Sequence, residues 1–457
     1  MHKRFLIHSK AAVAILVAMT GILSATTVVK AQSGPHQVVE QQLKNGLKVL
    51  VWPDDDIPNA AMYIWYRVGS RNEAPGITGV SHFFEHMMFN GAKKYGPGEF
   101  DRVMEAKGGS NNAFTSTDVT VYQNWFPVEA IRTIFELEAD RIGSLAIDPK
   151  MVESERGVVY SERRTSVDNN NESLLDESVR SVAFVAHPYG IPTIGWPSDI
   201  ESWTIDDLRS HFKTYYAPNN AVLILSGAVT PKDAISMTQK YLGPIKAQKP
   251  PKEIRTEEPV QLGERRITLH RPAQLAIVQV VYRAPAAVDP NFDALEILES
   301  VLLSGESSRL YRRLVDKEQI ALDVKGGVDA GFDPGLFSFT VTVAQGADPT
   351  RVETVLKEEL ANVVMKGITP EELQKAKTLQ IAEYYRILQT IDGRAYALGH
   401  YEMFRGGWRK LFDVPQAVEN VTTDAVGNVA KQVFDPSAAT VGWLIPTKEE
   451  AQDAHVP

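Results

Sequence analysis

Residues 82–86 read His82-Phe83-Phe84-Glu85-His86. The two histidines stand four residues apart, so on a helix both imidazoles leave the same face one turn apart, as two ligands of a single metal ion require. Glu85 follows His82 by three residues and adjoins His86, which brings a carboxylate to the same patch. Two imidazoles and a carboxylate so placed are the layout of a metal-activated water with a general base beside it. The flanking sequence predicts the helix. Val80, Phe83, Phe84, Met87 and Met88 recur at helical spacing and should face a core, Thr78 is a candidate N-cap, and Asn90-Gly91 is a natural stop. A stripe of two histidines and a glutamate between apolar flanks must be satisfied by polar partners or by a metal.

A catalytic zinc takes three protein ligands and a water, so a third ligand should come from another element. The stretch from Glu153 to Arg164 offers one. Asp148-Pro149 reads as an N-cap followed by the first helical residue, and on that helix Glu155 and Glu162, seven apart, share a face. Alone, this pair discriminates little, because 57 of the 457 residues are carboxylates and most helical glutamates are solvated.

The stretch Gly79-Val80-Ser81-His82-Phe83-Phe84-Glu85-His86-Met87-Met88-Phe89-Asn90-Gly91, followed by Glu155-Arg156 and Glu162, resembles the pitrilysin/insulinase family of zinc peptidases, whose His-x-x-Glu-His order marks the inverzincins. Asn112-Ala113-Phe114-Thr115, His187-Pro188-Tyr189-Gly190 and Tyr216-Ala217-Pro218-Asn219-Asn220-Ala221 extend the resemblance over most of residues 38–232. The resemblance implies that His82, His86 and Glu162 bind Zn2+, that Glu85 is the general base, and that Glu155 supports the catalytic site without ligating. It also implies that Asn112, Ala113 and Phe114 lie on an edge strand that pairs with substrate backbone, a mode that reads main chain and tolerates many side chains. The donor set His2Glu suits zinc, and manganese or cobalt could also occupy it.

A duplication organises the rest. Ile64-Trp65-Tyr66-Arg67 and Val280-Val281-Tyr282-Arg283 each end a strand-like run. The stretches Thr204 to Pro218 and Thr422 to Pro436 have equal length, each reading as a capped helix. Each leads into a strand, Val222-Leu223-Ile224-Leu225 in one case and Thr440-Val441-Gly442-Trp443 in the other. The expected fold is α+β, with two homologous domains, each an antiparallel-rich sheet covered by helices. We place a zinc-bearing domain at 38–242, a Pro- and charge-rich linker at 243–259, and a domain without ligands at 260–448. Laying Tyr66 on Tyr282 without gaps puts His82, Glu85 and His86 over Leu298, Val301 and Leu302, so one metal per chain is expected.

Residues 1–31 read as a secretory signal. Lys3, Arg4 and Lys10 form a basic leader, an apolar run extends from Ala11 to about Ala25, and Val29-Lys30-Ala31 offers small residues at a cleavage point before Gln32. An uncleaved anchor, giving a membrane-tethered form, is the alternative, because the run approaches spanning length; no other segment could span a membrane. The chain has no cysteine, and with a bacterial-type signal this fits the periplasm. Hydrophobic content of 44% and charged content of 23% are ordinary for a globular protein, and a net charge of −9 argues against nucleic acid as a partner.

The sequence departs from the single-chain members of the family at one point. Those members carry an Arg and a Tyr near a Lys-Glu-Gln stretch of the second domain. Around Lys317-Glu318-Gln319 the matching positions are Val315 and Leu322, neither of which can donate a hydrogen bond. Nearby Arg309, Tyr311, Arg312 and Arg313 read as helix-surface residues. The resemblance therefore implies the zinc-bearing subunit of a heterodimeric peptidase, acting on unfolded peptides, with a homologous partner that supplies the Arg/Tyr pair. Two alternatives stand beside this: a metal-bearing scaffold subunit that has lost catalysis, and a zinc hydrolase of non-peptide esters or amides.

Overall fold

The structure, a computed structural model, describes residues 37–447; the segment read as a secretory signal lies outside the described residues. Two mixed sheets are present. The first contains β1 (Val39–Gln42), β2 (Lys48–Pro53), β3 (Asn59–Tyr66), β4 (Ser110–Thr115), β5 (Thr120–Pro127) and β6 (Ala221–Gly227), in the order β1-β2-β6-β3-β5-β4. The second contains β7 (Arg265–Pro272), β8 (Ile277–Arg283), β9 (Ala321–Val328), β10 (Leu336–Val343) and β11 (Thr440–Thr447), in the order β7-β11-β8-β10-β9. Leaving β1 aside, the two orders superimpose strand for strand. Each has a single parallel pair, β2 with β6 and β7 with β11, and antiparallel neighbours beyond it. The expected α+β duplication is therefore the observed fold.

The helices repeat in the same way. Ile205–Tyr215 precedes β6 and is capped by the Thr204 hydroxyl on the Asp207 N–H; Thr423–Val433 precedes β11 and is capped by Thr422 on Ala425. The helices Pro149–Arg163 and Asn171–Ala183 of the first half have counterparts in Pro370–Ile387 and Ile391–Phe404 of the second.

Both faces of the first sheet are covered, which is why its strands are nearly continuous apolar runs rather than alternating ones. Val49, Val51, Met62, Ile64, Leu223 and Leu225 pack with Phe83, Phe84 and Met87 of the first half. On the opposite face Leu50, Trp52, Ala61, Trp65 and Ile224 join the core of the second half. The covering element there is the second half's helix Ile391–Phe404, which lies on β3 and β6. The exchange is reciprocal, since the first half's helix Asn171–Ala183 lies on β7, β8 and β11, with Leu175 and Val179 against Val281 and Leu444. A polar latch adds to it. Arg71 bridges Asp118 at 3.1 Å and Asp333 of the second half at 2.6 Å, and the Tyr189 hydroxyl donates to Asp118 at 2.8 Å.

No helix or strand interrupts the described chain between Tyr241 and Arg265. This connector is nonetheless pinned. Asn219 donates to the Gln248 carbonyl at 2.9 Å, and the Glu258 carboxylate accepts the N–H groups of Val185, Ala186 and His187, each at 2.9 Å. No helix among the described residues is long and apolar enough to cross a membrane.

The halves approach closely at Gly399, where a Cβ would come within 2.2 Å of the buried Trp65 ring. Gly399→Ala should therefore lower stability by about 1–3 kcal/mol through overpacking, read as a shifted urea midpoint. Gly157→Ala, on a helix where a Cβ meets nothing within 4 Å, should instead raise stability by about 0.5–1 kcal/mol.

Candidate functional site

The histidine motif forms the helix Val80–Met87. Val80, Phe83, Phe84 and Met87 are fully buried beneath it, as their spacing predicted. The start of the helix differs from expectation. Gly79, not Thr78, is the N-cap, in the left-handed conformation at φ 83°, where a Cβ would strike the Ile194 carbonyl. The Thr78 hydroxyl turns away to Asp199 at 2.7 Å. The orphan N–H groups are taken by a buried carboxylate that sequence reading did not single out: Glu73 accepts from Gly79 at 2.6 Å and from Ser81 at 2.7 Å. Burial pushes Glu73 up to about 8, against the pull of those two donors. Below the helix the Ser81 hydroxyl meets the buried His211 ring at 3.2 Å, and the Tyr122 hydroxyl donates to the Phe84 carbonyl at 2.9 Å.

The third element is the helix Pro149–Arg163, started as expected by Asp148, whose carboxylate accepts from the backbone of Lys150 and Met151. Its position is fixed by two arginines. Arg156 donates to the carbonyls of Ile200 and, at 2.7 Å, of Trp203. Arg163 is buried against the Glu177 carboxylate, 2.8 Å to each oxygen, and the Gly195 carbonyl at 2.7 Å.

These two helices bring His82, His86 and Glu162 together, with one ligand atom from each lying within 4.8 Å of the others. Glu162 Oε2 is 3.3 Å from His86 Nε2 and 3.7 Å from His82 Nε2. Glu155 stands behind the site. Its Oε1 is 2.8 Å from His86 Nδ1 and its Oε2 accepts from Asn90 at 2.6 Å. The Glu155 carboxylate on Nδ1 fixes the ring so that Nε2 faces Glu162, the way a supporting carboxylate orients a metal-ligating histidine. The donor set of two imidazoles and one carboxylate turned to a common point fits a zinc-class ion.

The charges agree with this. Burial, reinforced by the neighbouring His86, lowers His82 to about 4, so its imidazole is neutral. For His86 the burial penalty is outweighed by its hydrogen bonds to Glu155 and Glu162, which raise it to about 9. Both glutamates are lowered, first by that same histidine. Two carboxylates therefore flank the His86 ring, one at each nitrogen.

Glu85 lies on the same helix, beside the cluster. Burial raises its carboxyl above the ordinary range, opposed by a 2.6 Å hydrogen bond that Thr115 donates to its Oε2. Thr115 was not among the expected site residues, although it ends the Asn112–Thr115 motif. That motif is β4, which pairs with β5 and forms the edge of the sheet. Asn112 on it is exposed, and Ala113 and Phe114 are half-buried. In the second half, Leu298, Val301 and Leu302 are buried core residues. Arg309 there is occupied by Glu372, 2.6 Å from each of Nε and Nη2, and Leu322 is exposed.

The profile of the Insulinase family (Peptidase family M16) matches residues 48–196, and that of the Peptidase M16 inactive domain matches residues 202–380. The zinc protease PqqE of Helicobacter pylori is 31% identical over 412 residues, which cover 88% of this chain and 92% of that protein. The chain belongs to the insulinase family, peptidase family M16. An uncharacterized zinc protease of Streptomyces coelicolor is 25% identical over 432 residues, 92% of each protein. The crystal structure of a protease from Helicobacter pylori superposes with a TM-score of 0.87 at 29% identity, covering 90% of this chain and 99% of that one. As an M16 protein the chain has a peptidase-family fold, and its relatives' names make them zinc proteases.

The buried cap gives a prediction of its own. Glu73→Ala leaves two helix N–H groups without an acceptor and should cost about 1–3 kcal/mol. Hydrogen exchange at the amides of Gly79 and Ser81 should quicken, while exchange in the second sheet keeps its rate.

Proposed function

We propose that this chain is the zinc-bearing subunit of a metallopeptidase that hydrolyses unfolded peptides. The observation that carries the reading is the convergence of His82 Nε2, His86 Nε2 and Glu162 Oε2 beside the half-buried Glu85. These three residues would hold the ion. Bound there, zinc supplies a Lewis acid that polarises a carbonyl and acidifies water towards neutrality.

The chain's own residues do the remaining work. Glu85 is the general base: Oε2 is held by Thr115, so Oε1 is directed to take a proton from the attacking water and return it to the leaving amine. Its raised pKa matches that exchange. Glu155 fixes the His86 ring and tautomer. Asn112, Ala113 and Phe114 on β4 bind substrate main chain by strand addition, because the outer edge of β4 has free backbone groups. We read the domains as 38–242 and 260–448, joined by the linker 243–259, and place the mature protein in the periplasm on its signal sequence and its lack of cysteine.

At the positions where the single-chain members carry their oxyanion donors, this chain has the apolar Val315 and Leu322, and nearby Arg309 is committed to Glu372. A homologous partner that carries an Arg/Tyr pair completes the site. The same observation favours a second reading, a metal-bearing scaffold without catalysis.

The test is cleavage of an unfolded peptide by the zinc-loaded chain, alone and with its homologous subunit. Glu85→Gln should keep its zinc and lose about 10²–10⁴-fold in rate. Glu162→Gln should lose zinc affinity itself. Full activity of the chain alone, unchanged by any partner, would remove the two-subunit reading, and full zinc with no cleavage under either condition would favour the scaffold.

A further inference from the structure

Asn90-Gly91 reads from the sequence as a stop for the helix Val80–Met87, and the structure divides that task unequally. Gly91 takes the left-handed conformation, at φ 107°, where a Cβ would come within 2.7 Å of the Pro97 nitrogen. Main-chain bonds close the last turn: Phe89 N–H donates to the His86 carbonyl and Asn90 N–H to the Met87 carbonyl, each at 3.0 Å. Asparagine commonly serves at such a place by tolerating a left-handed backbone or by bonding its side chain to a local carbonyl. Here Gly91 does the first. For the second, the Asn90 amide lies 3.5 Å from the His86 carbonyl, at the outer limit of a hydrogen bond. The helix end therefore needs little from this side chain.

The half-buried Asn90 is committed elsewhere. Facing a carboxylate, its amide presents the NH2 group, and Nδ2 donates to Glu155 Oε2 at 2.6 Å, while Glu155 Oε1 is 2.8 Å from His86 Nδ1. Among the described residues no other donor reaches that Oε2. A carboxylate held at one oxygen turns about its last bond, a soft torsion; held at both oxygens, it presents a fixed edge. Asn90 supplies the second hold as a neutral donor, so it adds no charge beside His86. His86 first, and Asn90 with it, keep the Glu155 carboxyl below its usual range against the burial penalty.

The turn that carries Asn90 is tied to the helix that carries Glu155. Ala146 N–H donates to the Gly91 carbonyl at 3.2 Å and Lys93 N–H to the Ser144 carbonyl at 3.1 Å, and Ala92 bridges Leu145 in antiparallel fashion. Two residues beyond Ala146 stands Asp148, the cap of the helix Pro149–Arg163. The end of one helix is thus pinned to the approach of the other, and the Asn90 amide adds a side-chain tie between them.

We propose that Asn90 is a positioning residue of the candidate metal centre: its amide locks Glu155, and through Glu155 it sets the His86 ring. This role rests on the reading of His82, His86 and Glu162 as ligands, and it gives Asn90 no contact with the ion.

The test is a double-mutant cycle on the full chain, read as zinc affinity by competition with a chromophoric chelator, without substrate. Asn90→Ala should weaken zinc binding by about tenfold, the lower end for loss of a group behind a metal ligand. Asn90→Leu, close in shape but without a donor, should weaken it equally, which separates the lost hydrogen bond from lost volume. In a Glu155→Ala background Asn90→Ala should cost nothing further, because its effect passes through that carboxylate. A merely structural role would give the same loss in both backgrounds. Unchanged affinity in both Asn90 variants, or a tenfold loss that persists in Glu155→Ala, would overturn the proposal and leave the metal centre standing. Zinc binding that Glu162→Gln leaves unchanged would instead remove the ligand reading, and the role of Asn90 with it.

Discussion

The structure depends on an exchange of helices between its two halves. Each sheet has one face covered by its own helices and the other by a helix from the opposite half. On the first sheet the contact is close enough that Gly399 sits against the Trp65 ring; on the second, a Cβ on Gly442 would come within 2.2 Å of Val179. Burying large aromatic faces such as Trp52 and Trp65 contributes several kcal/mol of apolar transfer each way. That shared core holds β4 and the two helices that carry His82, His86 and Glu162 in a fixed frame. The latch of Arg71, Asp118, Tyr189 and Asp333 works at the same boundary with charges instead of hydrocarbon.

Within that frame the site is an electrostatic device in two layers. The inner layer, His82, His86 and Glu162, points three donor atoms at one place. The outer layer sets their orientation and charge through Glu155 on His86, Thr115 on Glu85, and Glu73 on the helix N-terminus. Preorganisation of this kind depends on the supporting residues as much as on the donors themselves.

His82, Glu85 and His86 were legible as a group because their spacing is local, whereas Glu162 was singled out by the family resemblance and not by its spacing. A spacing of four residues on a helix is a geometric statement, and Asp148-Pro149 announces the second helix one residue before it starts. The duplication was legible for a related reason: Tyr66 and Tyr282 close equivalent strands, and Thr204 and Thr422 cap equivalent helices. The reading failed where the decisive partner lies elsewhere in space. Thr78 has the right chemistry for a cap, but Asp199, far along the chain, takes its hydroxyl, and Glu73 reaches the vacant N–H groups across a turn that has no sequence signature. Thr115 stood in a recognised motif, yet its bond to Glu85 is a tertiary contact across the sheet edge. The apolar runs of β3 and β6 signalled burial without saying that the covering helix belongs to the other half.

The reciprocal helix exchange also bears on symmetry. Two copies of a unit that cover each other's sheets with equivalent helices form an isologous contact, the kind made by a two-fold homodimer. The two halves of this chain make a contact of that kind within one polypeptide, with the connector joining them. Joined in one chain, the two units need not be identical: one presents imidazoles and carboxylates, while in the other the matching helix presents Leu298, Val301 and Leu302 to the core. The fold accommodates that difference because the contact between the halves lies on the sheets and does not pass through His82, His86 or Glu162.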